Sequence, residues 1–191
     1  MTTTTPAPAT ALPLATGTWS LDPRHSGVYF KVCHIGLSNV RGRFDRFGAT
    51  LLVGETLADT AVEAIIEMAS VDTNEPARDA HLLGTDFFSA DEHPEMTFRS
   101  TAIRADGDGE YALDGELTLN GVTRPVSLDV EFHGVQVLAA DGKTHAGFSA
   151  ATTVNRDEFG VDFNVPLGMD RFALGKKIGV ELELQFVAPE D

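Results

Sequence analysis

From residue 178 to residue 187 the chain alternates strictly: Ile178, Val180, Leu182, Leu184 and Phe186 share one parity, while Glu181, Glu183 and Gln185 share the other. A period of two residues marks a strand with one buried face. The parity returns in residues 26–35, where Val28, Phe30 and Val32 stand opposite Tyr29, Lys31 and Cys33. In residues 60–71, Val62, Ala64, Ile66 and Met68 oppose Glu63 and Glu67. A helix also fits there, but Val71-Asp72-Thr73 and the helix signals that follow favour a strand. In residues 126–137, Val126, Leu128, Val130 and Phe132 oppose Ser127, Asp129 and Glu131. Further strands are predicted at 18–22, 41–44, 96–104, 110–119 and 145–154, with Pro23 breaking the first and Phe47-Gly48 marking a bulge or bend. Asp106-Gly107-Asp108-Gly109, Asn120-Gly121 and Asp141-Gly142 are turn signals between successive strands. This spacing predicts antiparallel hairpins, and a long antiparallel set removes its exposed edges by closing into a barrel.

The alternation stops at residues 79–100, where two adjacent Phe, two His, several carboxylates and a Pro crowd together. Thr73, Asn74 and Pro76 form a helix start, and Gly84 after His81-Leu82-Leu83 forms its stop. A short helix is predicted over residues 75–83, then a bend carrying Phe87 and Phe88, then a strand from Met96. A single helix among strands predicts a plug over one barrel end. The stretch at residues 163–174 is apolar for a loop and predicts a flap over a barrel end.

The pieces His81-Leu82, Asp86-Phe87-Phe88, His93-Pro94 and Thr97-Phe98-Arg99-Ser100 together resemble the signature of the YceI-like family. Other pieces match in order: Trp19-Ser20-Leu21-Asp22 with His25-Ser26, then Val28, Phe30 and His34, then Gly42-Arg43-Phe44. After them come residues 115–123, Asn155-Arg156-Asp157-Glu158-Phe159-Gly160 and the closing strand from Ile178. Members of that family have a lipocalin-like β-barrel and bind polyisoprenoid or similar amphipathic lipids inside it. The resemblance therefore implies an all-β fold: a closed antiparallel lipocalin-like β-barrel with a short helix plugging one end. It implies one lipid-binding domain over residues 17–188, behind a Thr-, Pro- and Ala-rich tail, residues 1–16, that is expected to be disordered.

Apolar strand faces alone predict a solid core; the resemblance turns that core into a cavity. The residues expected to line it are Val28, Phe30, Val32 and Phe44 from the first strands, then Ile66 and Met68. Leu82, Phe87 and Phe88 come from the helix and bend, and Phe98, Leu117 and Leu119 from the next hairpin. Val130, Phe132, Phe148, Phe163, Leu182 and Leu184 complete the set. Each CH₂ that a ligand buries there contributes about 0.8 kcal/mol. The expected function is non-catalytic carriage or storage of a long-chain lipid.

Charge narrows the partners. Lys and Arg number 14 against 29 Asp and Glu, a formal charge of −15. Such a surface repels nucleic-acid phosphates and anionic headgroups at long range, so neither nucleic-acid binding nor stable membrane insertion is expected. The N-terminal residues hold no Lys or Arg and no long apolar run, which predicts a cytoplasmic protein. A homodimer is left open. The scarce cations Arg41, Arg43 and Lys176 are the candidates to meet a lipid headgroup.

Candidate chemistry is thin. Cys33 is the sole cysteine, which excludes an intrachain disulfide, and its apolar surroundings predict a small core residue. His25, His34, His81 and His93 invite a metal reading, yet their spacing matches no tight ligand pair such as HxxxH, so no metal or cofactor is expected. The competing enzyme reading would use His81 or His93 in a hydrolase or a metal-dependent reaction. Asp86 and Arg156 are expected to form a structural ion pair pinning the helix to the barrel.

Overall fold

Three interrupted staves open the sheet. The computed structural model describes residues 10–190. β1 (Gly17–Leu21) and β2 (Gly27–His34) run as one interrupted stave, β3 (Ser38–Phe44) and β4 (Phe47–Val53) as the next, β5 (Ala61–Glu67) and β6 (Val71–Asp72) as the third. Val28 faces Phe44 and Ser20 faces Thr50, so the first two staves stay in register across their breaks. After α1 (Pro76–Leu83) come four continuous staves: β7 (Glu95–Ala105), β8 (Glu110–Leu119), β9 (Val122–Val137) and β10 (Thr144–Asn155). A small hairpin, β11 (Pro166–Gly168) and β12 (Arg171–Phe172), precedes β13 (Leu174–Val187).

β13 closes the ring. It pairs with β10 along its length, with β2 where Leu182 faces Val28, and with β1 where Phe186 faces Leu21. The result is a closed eight-stranded antiparallel barrel. About eight strands leave an interior that side chains can fill or that can hold one small ligand. Register shifts between Ser100 and Ala102 and between Gly147 and Phe148 bend the staves toward closure.

Local chemistry explains the breaks and turns. Asp22 ends β1: its carboxylate accepts from the Arg24 N–H at 3.0 Å and meets His25 Nδ1 at 2.8 Å. Ser26 Oγ donates to the Asp22 carbonyl at 2.7 Å and accepts from the Gln185 N–H at 3.0 Å, which restores the ladder across the break. The two-residue turn Asn120-Gly121 has φ of 52° and 72°, the pairing of positive angles that tight hairpins require. It starts β9 at Val122, earlier than the alternation alone suggests.

Other sequence expectations shift. The helix begins at Pro76, because Glu75 is its N-cap and accepts from the Ala77 N–H at 3.3 Å. The strand expected over 60–71 ends at Glu67, followed by a 3-10 turn, Met68–Ser70. Phe47 and Gly48 open β4, and the bend lies just before them at Asp45 and Arg46. Of the expected tail, residues 1–9 lie outside the described residues. Residues 10–16 do not trail away: Leu12 is buried in the core, the Thr10 carbonyl accepts from Leu57 N–H, and the Ala15 carbonyl accepts from Trp19 Nε1. Cys33 is exposed on the outer parity of β2, a correction to its core assignment.

The core follows from this closure. Trp19, Leu51, Tyr111, Phe148 and Phe186 fill one barrel end together with Leu12. At the other end Val28, Phe44, Ile66 and Met68 pack with Leu82 and Phe88, while Phe87 joins Val154, Phe159 and Val161.

Candidate functional site

Inward parity on every stave produces a lumen with two adjoining hollows. The hollow toward the Trp19 end has a volume of about 180 Å³, and the hollow beneath α1 about 470 Å³. Met96, Leu117, Val154 and Val180 line both and form the waist between them. The larger hollow falls within the ordinary range for ligand sites, about 300–1,000 Å³.

Val28, Ile66, Phe98, Val130, Phe148, Leu182 and Leu184 line the smaller hollow, whose exposed wall is wholly apolar. Phe30, Val32, Phe44, Met68, Leu82, Phe87, Phe88, Leu119 and Phe163 line the larger one. Phe132 lines neither. Its ring sits 5.1 Å from Phe148, in the packed Trp19 end, so it belongs to the core rather than to the lumen wall. Two glycines make room for the rings. A Cβ on Gly42 would overlap the Phe30 ring, and one on Gly115 would overlap the Phe98 ring.

The α1 end is built from aromatic contacts. Phe44 stands 5.5 Å from Phe30 and 6.3 Å from Phe88. Phe163 stands 5.3 Å from both Phe87 and His81. The helix itself buries no residue fully; Leu82 is half-buried over the hollow. The segment expected as a flap is the β11–β12 hairpin. Its base is stitched by the Asn164 side chain to the Leu174 backbone at 2.8 and 2.9 Å, and Ile35 N–H donates to the Ala173 carbonyl at 2.7 Å. Phe163, Val165, Ala173 and Leu174 line the hollow, whereas Leu167, Met169 and Phe172 face outward and are exposed.

Polar groups reach the lumen mainly at this end. His34, Thr73, Arg78, His81 and Arg156 line the larger hollow. Arg156 is 5% exposed. Its Nε donates to the Gly175 carbonyl at 3.0 Å, and Nη1 donates to the carbonyls of Val161 at 2.6 Å and Phe163 at 2.9 Å. Nη2 is buried without a hydrogen-bond partner. Burial pulls this guanidinium below its ordinary pKa, and the charges of Asp157 and Asp162 oppose that pull. Arg78 donates to Thr73 through Nε and Nη2, both at 2.8 Å.

The headgroup candidates sit elsewhere. Arg41 pairs with Glu181 at 3.7 Å, Arg43 with Asp45 at 2.7 Å and Asp72 at 2.6 Å, and Lys176 with Asp157 at 2.7 Å. None of the three lines either hollow. The expected Asp86–Arg156 pair does not form: Asp86 meets His81 Nε2 at 2.7 Å, and Arg156 bonds only main-chain carbonyls. The imidazoles are dispersed. His25 is held by Asp22, His93 lies against Gly121, and only His34 and His81 share a hollow. Among the described residues no group of three or more His, Cys, Asp and Glu is placed to hold a metal ion.

Known proteins share this architecture. The family model of the YceI-like domain matches residues 19–187. A UPF0312 protein of Vibrio parahaemolyticus is 34% identical over 161 residues, which cover 84% of this chain and 79% of that protein. The crystal structure of BcnA from Burkholderia cenocepacia superposes with a TM-score of 0.75 at 22% identity, covering 86% of this chain and 98% of that one. A polyisoprenoid binding domain from Saccharophagus degradans, implicated in plant cell wall breakdown, gives a TM-score of 0.67 at 16% identity, with 90% and 98% covered.

Proposed function

This chain belongs to the YceI-like family, and on that premise we propose that its barrel binds and carries one long-chain amphipathic lipid, with a polyisoprenoid as the favoured class. The observation that carries the reading is the apolar lumen, in which two hollows meet at a waist lined by four shared side chains, Met96, Leu117, Val154 and Val180. A wall of this composition offers a long chain continuous apolar contact, with polar groups mainly at the α1 end. Each buried CH₂ contributes about 0.8 kcal/mol, so a chain that passes the waist accumulates enough to offset the entropy lost on binding. The likeness to a polyisoprenoid binding domain supports the same class of ligand.

The enzyme reading has less support. His81 and His93 are its candidates, and they do not share the hollow: His81 lines it, held by Asp86 at 2.7 Å, while His93 lies against Gly121. Among the described residues no helix is long and apolar enough to cross a membrane.

Native mass spectrometry of gently purified protein tests the proposal. An apolar adduct, or uptake of added polyprenyl lipid at one molecule per chain, is the expected result. Failure to take up any amphiphile, with the fold intact by circular dichroism, would overturn it.

A further inference from the structure

The lumen wall carries a deeply buried charge with no bonded counter-charge. Arg156 is buried to 5% exposure at the inner rim of the larger hollow, where three of its contacts are main-chain carbonyls and Nη2 has none. Carbonyls satisfy N–H groups but do not neutralise a cation. A guanidinium removed from water without a counter-charge is costly, and a buried donor without an acceptor adds to that cost. The nearby carboxylates are not bonded to it: Asp157 is held by Lys176 at 2.7 Å, and Asp162 is exposed. Among the described residues, no carboxylate lines this hollow, while Arg78, His34 and His81 do. The cationic end is local, in a chain whose net charge is −15.

We propose that Arg156 is an internal headgroup anchor, taking an anionic headgroup (a carboxylate or a phosphate) at the end of the lipid chain onto Nη2, with Arg78 as a second donor at the rim. The inference rests on the chain-binding reading above and adds the headgroup class. Guanidinium nitrogens only donate, so they discriminate in favour of a head that only accepts. The fork geometry of arginine suits both carboxylate and phosphate oxygens. The chain of such a lipid runs from Arg156 to the waist, where Leu117 and Val154 present only carbon.

A matched series with one geranylgeranyl chain tests this on the full-length protein: the carboxylic acid, the monophosphate and the alcohol, each titrated by calorimetry. The wild type should bind the acid or the phosphate at least about tenfold tighter than the alcohol, the size of one charge-assisted hydrogen bond. Whichever anion binds tighter identifies the source of the headgroup. Arg156→Gln should erase the preference of acid and phosphate over alcohol, and Arg78→Gln should reduce it in part. Arg156 also organises three carbonyls, so a measurement on the wild type guards against misfolding of the variant. With ¹⁵N-labelled arginine, the acid should shift a guanidinium signal that the alcohol leaves in place. Equal affinity for acid and alcohol, or guanidinium signals that respond alike to both, overturns the anchor and leaves chain binding standing. A preference retained in folded Arg156→Gln likewise overturns it. Failure of all three lipids to bind overturns the chain-binding reading itself.

Discussion

Phe88 shows how single side chains divide their work between stability and binding. Its ring is half-buried, 6.3 Å from Phe44, and lines the larger hollow. Truncating a packed Phe costs about 3–5 kcal/mol, and the lower end applies to a ring that already borders empty space. Phe88→Ala should therefore lower the Tm of the empty protein, and saturating polyprenyl lipid should raise the variant's Tm by more than it raises the wild type's, because the chain fills the vacancy. Calorimetric melts with and without lipid decide it; a substitution silent in both states refutes the role of the bend as a wall. At this scale parity is a good guide, since each inward position is set by its neighbours two residues away. It also places Arg41 and Arg43 outside, for they alternate with the inward Gly42 and Phe44 on β3. Arg156 lies beyond its reach, because it sits in a 3-10 turn with no alternation to read. Lys176 is equally hidden: nothing in the order of residues says that it pairs with Asp157.

Whole elements depend on a few polar contacts at their ends. The break between β1 and β2 is held by Asp22, which is 4% exposed. Its carboxyl lies below the ordinary value of 3.8, first because His25 hydrogen-bonds it, with burial opposing and the Arg24 amide adding to the effect. A lowered folded-state pKa means that the contribution is complete above 3.8 and is lost as the pH falls through the folded-state value. Asp22→Asn should therefore cost about 1–3 kcal/mol at pH 7, and the gap from wild type should narrow as the pH drops below the ordinary carboxylate range. Parallel Tm-against-pH curves for the two proteins would refute this account. The strand ends that sequence misjudges are of the same kind. β5 stops at Glu67 because the next residues turn into a 3-10 bend that still delivers Met68 inward, a tertiary choice that local alternation does not encode.

For the molecule as a whole, closure is legible in the sequence and the extent of the lumen is not. Alternation on successive strands and tight turns between them specify an antiparallel set with one apolar face; its closure into a ring is what the YceI-like resemblance implies, and the pairing of β13 with β1 and β2 completes it. Where that ring is filled and where it is hollow depends on side chains from distant strands meeting across it, which is why Phe132 packs into the Trp19 end instead of facing the cavity. The waist is the consequence that bears on function. Val180 touches both hollows, so Val180→Trp should fill the space where they adjoin. Overpacking of this kind costs about 1–3 kcal/mol of stability, which a melt measures independently of binding. A chain denied two CH₂ groups of burial loses about 1.6 kcal/mol, or roughly tenfold in affinity. A C40 polyprenyl lipid should thus bind the variant at least about tenfold more weakly than wild type, while a farnesyl chain, short enough for the larger hollow alone, binds both alike. If the long chain binds the folded variant as tightly as wild type, the two hollows do not serve one ligand.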